Sequence, residues 1–587
     1  MRFLQAFFFV LTLLGTTRPE ETATGVVISN GPACAQIGTS ILKKNGTAVD
    51  AAIAALFCEG VSVPNCMGLG GGFLMNIYIK DGGKSDFLIA REVAPEKANE
   101  TMFGKDEDSA IRGGLAVAVP GELKGYWEAY NKYGGGVPWK DLVQPTIDLC
   151  NEGIPVTKYL AAVTDTYKED IMKDDILRGI FIKAATNQTY AETEKITRPR
   201  LAKTLELIAE NGADVLYNGT LTSDFVKDIQ AKGGIITEED LQNYAPVWST
   251  PIPIQLPFNQ TLHATPLPGS GLILGLIMTI LSDFLDPADP TSVTNWQRVI
   301  EAFKFGFAKR TELGDPDFVD VTEIVNQLTS TTFAQELRAL IFDNQTSEDP
   351  GYYGANVTQP LDHGTANLCV LAPNGDAVSV TSTINYDFGA GFASASTGII
   401  LNDQMDDFSS PGFDNVYGVP PSPSNYIVPG KRPMSSMNPS IVVDGNGDVR
   451  LVVGGSGGTK IITTVASIMI KNLWFNYTVK DAVVDKRLHH QLFPMQVLLE
   501  EGYSQDFIDA LIEIGHNVTE AGPADGFNTI TSISREGGTL YGSFDPRRGG
   551  GEDYVYSTTG GTSTVTGVSY QLWFLFVCVM FYQQYSG

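Results

Sequence analysis

Histidine, cysteine and positive charge are all scarce in this chain of 587 residues. Its five histidines are scattered, and its six cysteines show no Cys/His spacing of the kind that holds a metal. Basic residues number 40 against 67 acidic ones, for a formal net charge of −27. A phosphate backbone would be repelled by that balance, which excludes nucleic acid as a partner class and leaves a solvated acidic surface. Hydrophobic residues at 43% and charged residues at 18% are ordinary for a globular protein. The length is far above that of one ordinary core. Internal repeats and low-complexity linkers are missing.

Long apolar runs are missing too. Gly271 to Leu285 is interrupted only at Ser282-Asp283. Its length, about fifteen residues, falls short of the ~20 that a membrane span needs, so a buried core helix is expected. Phe3 to Leu14 follows Met1-Arg2 and is also short. It reads as a secretory signal over residues 1–17, with an uncleaved N-terminal anchor as the alternative. At the other end Gly560-Gly561 is small, Ser563 to Gln571 is polar and Leu572 to Tyr582 is apolar. That order fits a GPI-anchor signal whose tail is removed. The polar finish Gln583 to Gly587 departs from the pattern, and a short uncleaved hydrophobic tail is the other reading. Sequons for N-glycosylation stand at Asn45, Asn99, Asn187, Asn218, Asn259, Asn344, Asn356, Asn476 and Asn517, whereas Pro439 disqualifies Asn438.

Two glycine clusters invite a nucleotide reading and fail it. In Gly68 to Gly72 the third glycine of a dinucleotide fingerprint falls on Phe73, so tight packing is expected. Gly457-Gly458 is not followed by Lys-Ser/Thr in the P-loop arrangement. Lying between a strand and a helix, these glycines instead let backbone N–H groups approach a developing oxyanion.

What is present is a hairpin signal. Ala366 to Leu371 reads as a strand, Pro373-Asn374-Gly375-Asp376 as a turn and Ala377 to Thr383 as a return strand. A two-residue turn at Asn374-Gly375 sets Thr365 opposite Ile384, give or take one, and so near Thr383 and Asn385. A threonine at a strand start, with hydroxyl and amide groups returned to it, has the makings of a nucleophile awaiting a base. Ala48 to Phe57, Leu123 to Tyr133, Trp139 to Glu152 and Ile461 to Leu473 read as helices. Phe73 to Lys80 with Ser85 to Ala90, and Ile441 to Val443 with Val449 to Val453, read as hairpins. Lys158 to Asp228 shows helical spacing and little else. As isolated residues, Arg91-Glu92 reads as a surface ion pair, Thr383 as an edge-strand threonine and His489-His490 as a helix-surface pair. Cys66, Cys150 and Cys369 read as buried free thiols; Cys578 lies in the tail.

The resemblance becomes specific at Thr365-Ala-Asn-Leu-Cys-Val, Ser382-Thr383-Ile384-Asn385, and Asn402 to Pro411. Lys431 to Met437, Gly454 to Thr459, Ala90 to Pro95 and Met67 to Phe73 agree with it. The chain resembles the gamma-glutamyltransferases (gamma-glutamyl transpeptidases) from about Gly25 to about Arg548. The resemblance implies an α/β fold, the four-layer αββα sandwich of the N-terminal nucleophile hydrolases, built from two autocleaved fragments. It implies a large subunit over 18–364 and a small catalytic subunit over 365–560, joined as a heterodimer, with 561–587 as the tail. It also implies a disulfide between Cys34 and Cys58.

The resemblance carries roles to single residues. Thr365 is the nucleophile, freed by cleavage of the Gly364–Thr365 bond, and its new α-amine, with a reference pKa of about 7.7–8.0, is its base. Thr383 orients it, and Gly457 and Gly458 form the oxyanion site. Arg91 takes the substrate α-carboxylate, with Ser435 and Ser436 adding donors. Asn385, Gln404 and Asp407 receive the α-ammonium. Some members carry glutamate where Gln404 stands and others glutamine; with Gln404 one charge is lost and Asp407 is left as the main counter-ion. The segment Asp407 to Pro433 shows no extra lid-like insertion and resembles the open-site eukaryotic pattern. The implied activity is extracellular: attack on the gamma-glutamyl amide of glutathione or a conjugate, with no cofactor and no metal. Water or an amino acid or dipeptide acceptor then resolves the acyl-enzyme. Two other readings stand beside it: a catalytically silent relative kept as a secreted or surface binding protein, and an acylase of the same fold acting on a β-lactam-like amide.

Overall fold

The computed structural model describes residues 22–104, 106, 108–360, 364–412, 420–522 and 526–557. The candidate signal 1–17, the tail 561–587 and Cys578 lie outside the described residues. So does part of the 407–433 stretch. The layered body falls within residues 23–555; of the terminal unit only 22, 556 and 557 are described.

In chain order the elements that build the site begin with β1 (Thr22–Ser29), α1 (Cys34–Lys43) and α2 (Ala48–Ser62). β2 (Gly72–Ile79), β3 (Lys84–Ala90), α3 (Glu122–Tyr133) and α4 (Trp139–Glu152) follow. Next come β4 (Val247–Ser249), β5 (Ile252–Leu256), β6 (Gln260–Ala264), α5 (Gly271–Leu281) and α6 (Val293–Arg310). The second half holds β7 (Gly364–Leu371), β8 (Ala377–Asn385), β9 (Ser440–Val443), β10 (Val449–Ser456) and α7 (Lys460–Met469). It ends with β11 (Thr529–Glu536), β12 (Thr539–Phe544) and β13 (Gly551–Ser557).

One sheet runs β13-β1-β7-β8-β2-β3-β4 and the other β12-β11-β10-β9-β6-β5. Strand alternation makes the layers. Val26, Ile28, Cys369 and Leu371 point into the core between the sheets with Ile441 and Val452. Their neighbours Val27, Leu368 and Val370 face the outer core, packed by α1 to α4. Val442, Leu451 and Val453 face the opposite outer core, with α5, α6 and α7. The result is the four-layer αββα sandwich of the N-terminal nucleophile hydrolases. α5 accounts for the apolar run from Gly271, being buried nearly throughout. α2 starts where the Thr47 hydroxyl accepts from Asp50 N and the Asp50 carboxylate accepts from Thr47 N, a reciprocal cap. Cys34 and Cys58 join α1 to α2 in a disulfide with Cα atoms 5.4 Å apart. Cys66, Cys150 and Cys369 are free and buried. The helix expected over Ile461 to Leu473 is α7, which widens at its end into a π turn over Ile470–Trp474.

The β7–β8 hairpin corrects the expected turn. Gly375 N donates to Ala372 O, and Gly375, not Asn374, holds the positive φ, at 91°. This is a type I turn closed by a glycine bulge, one residue longer than the two-residue turn. Ala366 therefore pairs with Ser382. Thr383 is not on an edge strand, since β8 lies in the interior of its sheet.

Candidate active site

A register irregularity between Gly364 and Ala366 singles out Thr365 at the start of β7. Beyond it Gly364 pairs with Asn385, so the hairpin does deliver Thr383 and Asn385 to Thr365. Thr365 is buried, and its Oγ1 accepts a hydrogen bond from Gly457 N at 2.8 Å. Its carbonyl accepts from Arg548 Nη1 at 2.7 Å. Thr383 Oγ1 donates to Gly364 O at 2.6 Å and accepts from Asn385 N at 2.8 Å.

Gly457 and Gly458 link β10 to α7 with φ of 112° and 63°, conformations that glycine adopts without a steric penalty. A Cβ at Gly457 would also meet Asn528 Cβ at 2.6 Å. Thr463 Oγ1 and His489 Nδ1 lie 2.7 Å apart, which pins α7 behind this loop.

Strand pairing carries the site sideways. Thr383 faces Gly72 on β2, and Phe73 faces Ala90, the last residue of β3. Arg91 follows directly, three strands from β7, or roughly 15 Å at the usual strand spacing. Cβ atoms on Gly71 and Gly72 would sit 2.0 Å from Thr383 O and 2.5 Å from Ala90 O. The glycine cluster is thus the close packing expected of it.

Arg91 and Glu92 are not a surface pair: both are fully buried. Arg91 Nη2 donates to the Asp407 carboxylate and to Met434 O, its Nε to Pro433 O and its Nη1 to Glu92. Gln404 Nε2 donates to Asp407 Oδ2 at 2.6 Å. Asn385, at φ 71°, donates from Nδ2 to Asp403 O at 3.3 Å. Ser435 and Ser436 are buried just beyond Met434, and Ser435 O accepts from Ser270 Oγ at 2.7 Å. Arg91, Asn385, Gln404, Asp407, Ser435 and Ser436 therefore form one neighbourhood, reached from Thr365 through Thr383, which accepts from Asn385 N. A guanidinium fork next to a carboxylate suits an amino-acid zwitterion. Burial pushes Glu92 up to about 7, with Arg91 opposing the rise. Burial, then the neighbouring Asp406 charge, raises Asp403 well above the usual carboxylate range.

Three residues escaped the sequence reading. Asn425 accepts from Met434 N through Oδ1 and donates from Nδ2 to Asp407 O, tying the segment of Asp407 to that of Met434. Asn367 lies between the sheets under Gly454, where a Cβ would fall 2.2 Å from its side-chain amide. In the amide orientation that satisfies its partners, Nδ2 donates to Thr381 Oγ1 and Oδ1 accepts from Thr531 Oγ1. It thereby holds β7 against the opposite sheet that carries Gly457. Arg548 is the third, in a loop with no spacing to mark it. His489 and His490 are a correction of another kind: both are buried, not on a helix surface, and burial lowers their pKa values, that of His489 to about 4. Among the described residues no His/Cys/Asp/Glu group is arranged to hold a metal ion.

The sequence profile of Gamma-glutamyltranspeptidase matches residues 34–555. Scoloptoxin SSD14 of Scolopendra dehaani is 42% identical over 533 residues, covering 90% of this chain and 92% of that protein. Glutathione hydrolase 3 of Arabidopsis thaliana is 38% identical over 511 residues, covering 85% and 79%. Among solved structures, a cephalosporin acylase from Bacillus halodurans superposes with a TM-score of 0.78 at 25% identity, covering 93% of this chain and 99% of its own.

Proposed function

The chain belongs to the gamma-glutamyltranspeptidase family, and from that premise we propose a glutathione hydrolase and gamma-glutamyltransferase that matures by cutting itself before Thr365. The observation that carries this reading is the pairing of two bonds: Gly457 N to Thr365 Oγ1, and Thr383 Oγ1 to Gly364 O. One holds the nucleophile and the other polarises the carbonyl it must attack.

In maturation Thr365 Oγ adds to the Gly364 carbonyl, and the C–N bond breaks as the nitrogen takes a proton. Water then hydrolyses the resulting ester. The fragments 18–364 and 365–560 would remain together, because each sheet pairs strands from either side of the cut. In turnover the free α-amine of Thr365 accepts the Oγ proton while Oγ bonds to the gamma-glutamyl carbonyl. The Gly457 and Gly458 amides stabilise the oxyanion, the departing amine takes the proton and cysteinylglycine leaves. Water, or the amine of an amino acid or dipeptide, attacks the gamma-glutamyl ester in the same way and restores Thr365. Arg91 with Ser435 and Ser436 receives the α-carboxylate. Asp407, with Asn385 and Gln404, receives the α-ammonium. An acylase shares the fold, but the buried Arg91–Asp407 pair favours a zwitterionic acyl group over a β-lactam side chain.

The proposed location is the extracellular face, after removal of 1–17, with 561–587 replaced by a GPI anchor. Support comes from the sequons: all nine sequon asparagines are exposed, whereas Asn438, disqualified by Pro439, is buried. The test is intact mass and N-terminal sequencing of the purified protein, with glutathione turnover. A fragment beginning Thr365-Ala366-Asn367 and release of glutamate support the reading; one uncut, inactive chain refutes it.

A further inference from the structure

Two guanidinium groups lie to opposite sides of β7 in the sheet order, and one of them, Arg548, touches Thr365. Arg91 follows β3, on one side of β7 in the sheet order, and Arg548 precedes β13, on the other. Arg548 is partly exposed, and of its five N–H groups Nη1 is committed to Thr365 O. Its guanidinium lies 4.7 Å above the Tyr159 ring. That ring is fixed in turn, because Asn65 Nδ2 donates to Tyr159 Oη at 2.9 Å and to Asp387 Oδ1 at 2.7 Å. Asn65 and Cys66 are clamped to the end of β8 by Phe388 N to Asn65 O and Ile384 N to Cys66 O. The carboxylates of Asp387 and Asp545 act on Arg548, as do the Tyr159 hydroxyl and the Cys66 thiol, and Arg548 acts in turn on Glu59.

Glutathione carries a carboxylate at each end with the scissile amide between them. We propose that Arg548 is a specificity-determining residue that takes the second carboxylate, on the amine side of the reacting bond. It would bind the glycine carboxylate of the departing cysteinylglycine, and the carboxylate of an amino acid or dipeptide acceptor. A stacked guanidinium fork is pre-organised for that contact. This inference rests on the gamma-glutamyl-transfer reading.

The test compares glutathione with its C-terminal glycinamide analogue, and with a gamma-glutamyl anilide that has no carboxylate on the leaving side. The wild-type enzyme should turn over glutathione with a kcat/KM at least about 10-fold above the glycinamide. Arg548→Gln should narrow that ratio towards one, and Arg548→Lys should restore part of it. Equal kcat/KM for the two substrates in the wild type overturns the inference without any variant. So does a ratio that survives Arg548→Gln. A wild-type enzyme that cleaves none of the three overturns the gamma-glutamyl reading and this inference with it, and the anilide separates that outcome from a failure of carboxylate recognition alone.

Discussion

Thr383 holds the carbonyl of Gly364 through a 2.6 Å hydrogen bond from its hydroxyl, so the residue expected to assist the nucleophile grips the peptide bond whose cleavage is proposed to free it. Thr383→Val keeps the shape and removes the donor. Self-cleavage should slow on the order of 10²-fold, the usual cost of one lost oxyanion donor, while Thr383→Ser should cleave at nearly the wild-type rate. A time course of precursor loss on a denaturing gel checks this, and a Val variant that matures normally contradicts it.

Gly457→Ala meets two obstacles at once: a φ of 112° and a Cβ 2.6 Å from Asn528 Cβ. Relief would displace the amide that donates to Thr365 Oγ1. A loss of about 10²-fold or more in kcat is expected, with KM changed far less, because in the proposed mechanism the amide serves the transition state. Steady-state kinetics with a gamma-glutamyl anilide measures the split; a pure KM effect would reject the oxyanion role.

Buried carboxylates set the pH response. Burial pushes Glu59 and Glu122 up to about 8, against donors that pull the other way; for Glu122 these are Tyr126 and Ser382. The native state therefore holds these protons more tightly than the unfolded chain, whose glutamates titrate near 4.3. Stability from these groups is complete below that value and is lost as pH rises through about 8. The urea midpoint should fall between about pH 5 and about pH 9, and less steeply in Glu122→Gln. A variant with the wild-type slope would show that Glu122 is not one of the responsible groups.

The Cys34–Cys58 bond closes a loop with a sequence separation of 24. The chain-entropy argument puts its contribution at about 3 kcal/mol. Cys34→Ala with Cys58→Ala should lower unfolding stability by about that amount, measured by denaturant melt, and leave KM for the substrate near wild type. A large KM change would mean that the α1–α2 pair reaches the site.

Much of this was legible in the sequence, for identifiable reasons. The Pro373-Asn374-Gly375 turn and alternation along Ala377 to Thr383 made the hairpin visible, and the hairpin alone brought Thr365 to Thr383. The offset of one residue along Ala366 to Leu371, within the expected margin, comes from turn type, since Asn-Gly fits both a two-residue turn and a type I turn with a glycine bulge. Arg91-Glu92 misled because local composition carries no burial information: the pair is buried by Asp407 and Met434, over 300 positions away. Arg548, Asn367 and Asn425 were invisible for the same reason. Each acts through contacts made across layers or between loops, and no period or spacing encodes such contacts.

Gln404 supplies the last prediction. Its Nε2 donates to Asp407 Oδ2 at 2.6 Å, beside the Arg91 guanidinium that binds the same carboxylate. Gln404→Glu replaces a donor with a second carboxylate. Two like charges at that distance cannot both ionise freely, so one of the pair would bind a proton in the ligand-free protein. A substrate ammonium placed between them would expel that proton and gain an extra ion pair. The variant should therefore be less stable, by about 1–3 kcal/mol, from the lost donor and the added repulsion. Its KM for a gamma-glutamyl substrate should fall as pH rises through the raised carboxyl pKa, where the wild type shows no such step. A KM profile with the wild-type shape would remove Gln404 from the ammonium site and leave Asp407 as its counter-ion.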